Sequence, residues 1–366
     1  MLVNDSKNNY NSIYKDVKTR IIENDYPSGT LLPTESMLAS EYAVSRPTIA
    51  KVYNQLQKEG LIKKTKGLGS VVLNHYTPGN ITFGLLLPGA GESEIFSIIN
   101  DQFLKQSESG KFNCLWEGAT ASDAEIRQTL IDSCCNNYID KRVDGIFFAP
   151  IERVNNSADI NLHICNKIKE ANIPLILIDR DIKKLPERSD FDVIGLDNFS
   201  AGCIMAQHLI DAGCEVIYFF YRPDSATSVN MRLSGIRETV INNKLPFTED
   251  HVYCADPSNL KQIQQIKVYS GKTGIICAND ATAAILMSSL DAVNLKIRSD
   301  LLICGYDDMK YSSHLKYALT SFRQPCEEIA NISIELMMLR VKKHLFSPVT
   351  IQLKGEIVPR ESSVFI

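Results

Sequence analysis

Four polar pairs follow apolar, strand-like runs in this chain: Asp179-Arg180 after Ile178, Asp197-Asn198 after Leu196, Asn279-Asp280 after Cys277, and Asp307-Asp308 just past Gly305-Tyr306. An isolated cation, Arg232, stands at the start of a helical stretch. If the preceding runs are neighbouring parallel strands, these groups converge at the carboxyl edge of a sheet, where open α/β folds bind ligands. Carboxylates, amides and guanidinium groups together suit vicinal hydroxyls, because each hydroxyl donates to an Asp or Asn oxygen and accepts from an Arg or Asn N–H. A sugar is the natural ligand of such a set. Each residue alone is as readily a helix N-cap or a solvated side chain, Asn279 and Asp197 in particular.

A second group lies near the N-terminus, where Ser45 reads as an N-cap and Ile49, Val52, Tyr53 and Leu56 form one apolar stripe. Arg46, Ala50, Lys51 and Asn54 fall outside that stripe. The first turn of such a helix offers free N–H groups and a positive dipole end to phosphate, and its exposed side chains suit the major groove of DNA. Two further helices precede it. One runs from about Ser12 to Asn24 with Ile13, Val17 and Ile21 on one face; the other starts after Pro33, with Thr34 as N-cap and Met37, Leu38 and Tyr42 facing inward. Leu61 to Thr65, a glycine turn at Lys66-Gly67-Leu68-Gly69, and the return through Leu73 read as a hairpin, the wing of a winged helix. On pattern alone, a protein-docking module is the rival reading.

From Asn80 the pattern changes to alternating strands and helices. A strand over Ile81–Leu87 and a helix from about Glu94 to Gln106 come first; further strands are expected at Phe112–Leu115, Gly145–Ala149, Leu175–Ile178, Val193–Leu196, Val216–Phe220, Gly274–Cys277 and Leu301–Cys304. Continuous apolar strands of this kind mean a parallel, doubly wound sheet. The expected division is a winged helix over 1–73, a linker over 74–80 and a two-lobed α/β domain over 81–366. Lobe 1 takes about 81–196 and 324–347, lobe 2 about 197–323 and 348–366, with crossovers near Leu196-Asp197, Arg323-Gln324 and Phe346–Pro348.

The totals suit a folded, soluble chain: 366 residues, 44% hydrophobic and 22% charged. The net charge of −4 is unevenly spread, since the stretch through Tyr76 carries ten Lys and Arg against seven Asp and Glu. A basic head on an acidic body follows. The ten cysteines lie in apolar stretches without a Cys-x-x-Cys pair, as reduced core thiols do. No basic-then-apolar leader or membrane-length apolar run is present, so a cytoplasmic protein without membrane attachment is expected. Gly271-Lys272-Thr273 lacks the upstream glycine of a phosphate loop, and neither Gly-x-Ser-x-Gly nor His-Glu-x-x-His occurs. No catalytic group, metal or cofactor is expected.

The head resembles the gluconate-repressor-type (GntR) winged-helix family. The resemblance runs from Tyr14-Lys15-Asp16-Val17 through Gly29-Thr30-Leu31-Leu32-Pro33-Thr34-Glu35 and Val44-Ser45-Arg46-Pro47-Thr48-Ile49 to Leu56–Ile62 and Gly67-Leu68-Gly69. It implies DNA contacts from Ser45, Arg46, Thr48, Lys66, Gly67 and Gly69. Ser36 and Ala50 stand where many members carry Arg, which implies fewer direct base contacts, with Lys51 substituting in part.

The body resembles lactose-repressor-type regulators and their periplasmic sugar-binding relatives. Arg142–Ile146, Ile173–Arg180, Val193–Asn198, Arg232–Gly235, Ile275–Asp280, Ile303–Asp308 and Leu319–Pro325 follow in collinear order. The resemblance implies that Asp179, Arg180, Arg232, Asn279 and Asp307 bind a sugar, with Phe96 on the first loop stacking on its apolar face; Arg323 or Gln324 is a weaker addition. Joined in one chain, the two resemblances point to the arabinose-repressor branch of regulators. They imply a homodimeric repressor of carbohydrate-utilisation genes on operator double-stranded DNA, released by a monosaccharide. The alternative is an activator or corepressor-type regulator answering to a sugar phosphate or another small metabolite. A regulator fused to a pyridoxal-phosphate enzyme ranks below both, because the body carries the sugar-binder pattern.

Overall fold

The computed structural model describes residues 5–22, 25–26, 30–58, 61–65, 69–72, 81–88, 94–117, 124–152, 154, 156–184, 186–269, 272–342 and 346–365. The expected linker, 74–80, lies outside them.

The head consists of α1 (Asp5–Ile22), α2 (Glu35–Glu41), α3 (Arg46–Lys58) and an antiparallel hairpin of β1 (Ile62–Thr65) and β2 (Gly69–Val72). Ile13, Val17 and Ile21 recur every four residues along α1 and pack with Ile49, Val52, Tyr53 and Leu56 of α3 in one buried cluster. Each such side chain stabilises the domain by roughly 1.5–3 kcal/mol. Tyr53 donates its hydroxyl to the Pro33 carbonyl at 2.6 Å, which ties α3 to the entry of α2. Thr34 caps α2 by accepting the Met37 N–H at 3.2 Å. Two details depart from the periodicity: α1 begins at Asp5, well before Ser12, and Met37 is 63% exposed while Ala39 is buried in its stead. In a seven-residue helix, Leu38 and Ala39 suffice to cover the core. Ser70 pairs through the backbone with Leu32, so the segment before α2 edges the hairpin.

The body holds two six-stranded sheets. Along the chain its elements are β3 (Thr82–Leu86), α4 (Glu94–Ser107), β4 (Asn113–Leu115), α5 (Ala124–Asp140), β5 (Gly145–Phe148), α6 (Ser157–Glu170), β6 (Leu175–Ile178), β7 (Asp192–Leu196), α7 (Asn198–Asp211), β8 (Val216–Tyr221), α8 (Thr227–Asn242), β9 (Val252–Cys254), α9 (Leu260–Ile263), β10 (Thr273–Cys277), α10 (Asp280–Ala292), β11 (Leu301–Tyr306), β12 (Thr320–Arg323), α11 (Cys326–Val341), β13 (Thr350–Leu353) and β14 (Glu356–Val358). The first sheet runs β13-β7-β6-β5-β3-β4 and the second β14-β12-β11-β10-β8-β9. In the second, β14 is the antiparallel member. Buried on both faces, the inner strands read as unbroken apolar runs, such as Leu175-Ile176-Leu177-Ile178.

The chain leaves the first sheet after β7 and returns after β12, at the two crossovers expected near Leu196 and Arg323. The third differs from expectation. Thr350–Leu353 pairs in parallel with Val193–Leu196, so lobe 1 extends through β13 and the crossing falls at Lys354-Gly355, past Phe346–Pro348. A half-exposed edge strand without an apolar run gave no hydropathy signal there. A Cβ on Gly355 would stand 2.4 Å from the Arg323 carbonyl and 3.1 Å from Leu196, so the three crossovers run against one another at a residue that must lack a side chain. All ten cysteines are free thiols and seven are buried.

Candidate functional site

Two aspartates at strand ends set the geometry of the body's cleft. Asp179, just past β6, has φ 74°, and Asp307, just past β11, has φ 105°. These values cost an L-residue about 1–3 kcal/mol each. Both are anchored through the backbone: the Asp179 N–H donates to the Ile194 carbonyl at 2.7 Å and the Asp307 N–H to that of Phe322 at 2.9 Å.

Arg232, in the second turn of α8, is 6% exposed. Its Nε donates to Asn198 Oδ1 at 2.8 Å and its Nη1 to the Ala278 carbonyl at 2.6 Å, while the guanidinium lies 3.6 Å over the Tyr306 ring. Close helix packing puts it there. A Cβ on Gly202 of α7 would meet the Arg232 carbonyl at 2.1 Å, and one on Gly235 of α8 would meet the Phe199 carbonyl at 2.0 Å. Arg180 donates from Nε to the Pro150 carbonyl at 2.9 Å and pairs with Asp179 at 3.1 Å and Glu152 at 3.4 Å. Gln324 donates to Asp307 Oδ1 at 2.7 Å.

These side chains enclose a cavity of about 240 Å³ that Phe96, Asp179, Arg180, Arg232, Asn279 and Asp307 all line. Every sugar contact expected from the sequence therefore faces one space. Phe96 is 2% exposed and sits in the first turn of α4, not on the preceding loop as expected from the sequence; residues 89–93 of that loop lie outside the described ones. Asn279 lines the cavity and also caps α10, accepting the Thr282 N–H at 2.8 Å. Asp197 only caps α7. Of the weaker pair, Gln324 lines the cavity, whereas Arg323 turns away to pair with Asp308 and Glu356. Glu152 was missed. It accepts the Ala226 N–H at 2.9 Å from the opposite lobe, and its place four residues past β5 is the signal that the strand-end rule offered.

Electrostatics sharpen the picture. Burial pushes the Asp307 carboxyl up to about 8, against the opposing pull of Arg232 and the Gln324 hydrogen bond. Asp280 is raised to about 6 by burial, although Ser312, Ser321 and the Met309 N–H all donate to it. That carboxyl is structural, bolting α10 to β12. Two buried acceptors of the cleft, Asp179 Oδ1 and Gln324 Oε1, have no donor among the described residues. An unpaired buried acceptor costs about 1–3 kcal/mol, so both oxygens await hydroxyl or N–H donors.

In the head, Ser45, Arg46 and Lys51 are exposed at the start of α3, and Thr48 is half-buried with its hydroxyl 2.9 Å from that of Ser45. Glu35 holds Arg46 at 3.4 Å and Lys64 at 3.2 Å, and Lys64 also donates to Asn54 at 2.9 Å. Gly69 opens β2 at φ 114°, a conformation suited to glycine. Lys66 and Gly67 lie outside the described residues.

The model of bacterial regulatory proteins of the gntR family matches residues 9–72, and that of the periplasmic binding protein-like domain matches residues 206–363. The chain joins a gntR-family head to a periplasmic-binding-protein-like body. This architecture is shared with curated relatives such as the arabinose metabolism transcriptional repressor of Halalkalibacterium halodurans, 23% identical over 90% of this chain and 88% of the relative. Among solved structures, the LacI family transcriptional regulator of Enterococcus faecium with bound ribose superposes with a TM-score of 0.61 at 20% identity, covering 78% of this chain and 99% of that one. The lac repressor dimer bound to operator gives 0.61 at 18% identity, over 78% and 94%. At such identity the structures establish the fold: an α/β body of this type behind a helix-turn-helix head. Among the described residues no helix is long and apolar enough to cross a membrane, and no cluster of His, Cys, Asp and Glu could hold a metal ion.

Proposed function

We propose that this chain is a ligand-responsive transcriptional repressor of carbohydrate-utilisation genes, which binds operator DNA as a homodimer and leaves it when an unphosphorylated monosaccharide enters the cleft. The observation that carries the sugar reading is the pair of donorless acceptors, Asp179 Oδ1 and Gln324 Oε1, beside a guanidinium fixed by three partners. Hydroxyls donate to such oxygens and accept from Arg180, Arg232 and Asn279, and Phe96 supplies an apolar face. A phosphate brought beside Asp179 would meet like charge in a poorly solvated site. A pentose or deoxyhexose is favoured over a hexose, and the arabinose metabolism repressor and the ribose-bound regulator among the relatives support that class.

In the head, Ser45, Arg46, Thr48 and Lys51 at the start of α3, with Lys66, Gly67 and Gly69 of the wing, are the DNA contacts of this reading. Two-fold pairing would present two recognition helices to the half-sites of a pseudo-palindromic operator, and the dimeric lac repressor neighbour supports it. Isothermal titration with matched free and phosphorylated sugars is the test, run on the unaltered chain, Arg232→Ala and Asp307→Ala. Free-sugar binding lost in both variants is expected. A phosphate ester that binds more tightly than its free sugar and is lost with Arg232→Ala overturns the reading.

A further inference from the structure

A second cavity in the body, of about 320 Å³, shares Asp179, Arg180 and Ser228 with the cleft but is otherwise lined by different residues. Its charged wall is the segment that follows β6: Lys183, Lys184, Glu187 and Arg188. The acids of that wall are already engaged. Glu187 pairs with Lys183 at 3.1 Å, and the two carboxylate oxygens of Asp181 accept the N–H groups of Lys183 and Ser189, each at 3.0 Å. Asp179 is paired to Arg180. The cations are not equally engaged: the Lys184 ammonium has no ion pair or hydrogen bond among the described residues, and Arg188 spends one N–H on Thr350 Oγ1 at 3.0 Å.

The remaining wall is built of hydroxyls and amides. Ser228 is 6% exposed, and its hydroxyl has no hydrogen-bond partner among the described residues. Asn230, Ser234 and Gln352 complete the polar side, with Val193, Leu196 and Ile351 behind them. That hydroxyl opens onto the cavity, where a ligand can hydrogen-bond to it. Two cations with free N–H donors, beside the Ser228 hydroxyl and the exposed Asn230 and Gln352 amides, suit a ligand with an anionic end and a hydroxylated body. Phosphate fits the rim, since a guanidinium grips it through paired donors and a lysine adds a point charge.

We propose that this cavity is a second ligand site, taking a small phosphorylated sugar with its phosphate on Lys184 and Arg188 and its hydroxyls toward Ser228, Asn230 and Gln352. It is distinct in charge from the cleft, where Asp307 is buried and Lys184 and Arg188 take no part. Lys184 and Arg188 are exposed, so replacing them leaves the core intact.

The test is isothermal titration of the full chain with inorganic phosphate, ribose 5-phosphate, glucose 6-phosphate and fructose 1,6-bisphosphate. The unaltered chain is compared with Lys184→Ala/Arg188→Ala and with Asp307→Ala. At least one ester should bind the unaltered chain more tightly than inorganic phosphate does, weaken at least tenfold in the double variant, and keep its affinity in Asp307→Ala. Absence of ester binding, ester binding that survives the double variant, or ester binding lost with Asp307→Ala overturns the proposal. Free-sugar binding, read separately on the same proteins, reports on the cleft, so failure of one reading is distinguishable from failure of the other.

Discussion

Gly235→Ala tests whether the packing of α7 on α8 sets the proposed sugar site. The added Cβ would stand 2.0 Å from the Phe199 carbonyl and 3.0 Å from Cys203 N, where ordinary contact begins at 3.4 Å. Both obstructing atoms are backbone, so α8 must withdraw by about 1.4 Å or the helices must part. Arg232 lies one turn earlier on the same helix. A withdrawal of that size stretches its 2.8 Å bond to Asn198 and its 2.6 Å bond to Ala278 beyond hydrogen-bonding range. Overpacking of this kind costs ~1–3 kcal/mol. At ~2–4 °C per kcal/mol for a body of this size, Tm should fall by about 2–12 °C. The assays are thermal unfolding, titration of whichever free sugar the unaltered chain binds, and operator binding by fluorescence anisotropy without sugar. A lower Tm, sugar affinity reduced at least tenfold and unchanged operator affinity are expected. Sugar affinity equal to that of the unaltered chain would refute the claim that the Gly202–Gly235 approach positions Arg232.

Arg46→Ala should cost ~1–3 kcal/mol of operator binding, the range for one good base contact, with the fold of the head preserved; unchanged affinity for the operator would remove Arg46 from the interface. The sugar should weaken operator binding with a coupling of ~1–3 kcal/mol, and operator should weaken sugar binding by the same factor; tighter sugar binding in the presence of DNA would point to a corepressor or activator. The raised carboxyl of Asp307 also gives a pH signature. The folded chain keeps a proton that the unfolded chain releases at about 4, so the stabilising contribution is present below that pH and is lost as pH climbs to about 8. Denaturant unfolding between pH 5 and 8.5 should show that fall, and Asp307→Asn should flatten it; an identical slope in the variant would assign the effect to another group.

Hydropathy revealed the strands buried on both faces and, of the body's four edge strands, β4 alone. The eight expected strands all have counterparts among β3 to β11, because runs such as Val216–Phe220 and Gly274–Cys277 are apolar throughout. β9, β13 and β14 were illegible for the opposite reason: each is three or four residues long, half-exposed and at a sheet edge. β12 is buried yet rich in hydroxyls. Thr320 accepts from the Arg360 N–H and Ser321 donates to Asp280, so the groups that make the strand unreadable by hydropathy are the ones that hold it. In the cleft, strand-end position found Asp179, Asn279 and Asp307, but it could not separate a cap such as Asp197 from a wall such as Asn279, since both cap helices in the same way.

The backbone of the two cleft aspartates was equally hidden from sequence, and it bears on why aspartate stands there. At φ 74° and 105° glycine would relieve strain of about 1–3 kcal/mol per position. Asparagine would tolerate the left-handed turn at Asp179 nearly as well without burying charge. The carboxylates therefore cost stability three times over, through strain, through desolvation that raises Asp307 to about 8, and through the donorless Asp179 Oδ1. The fold recovers only part of that cost, through the Arg180–Asp179 pair and the Gln324 hydrogen bond to Asp307, since the anchoring hydrogen bonds at Ile194 and Phe322 come from the backbone and would survive the change to glycine or asparagine. A ligand that donates hydroxyls to these oxygens does recover it, and its binding energy then falls on the two strand ends, one in each lobe, whose closure it would drive.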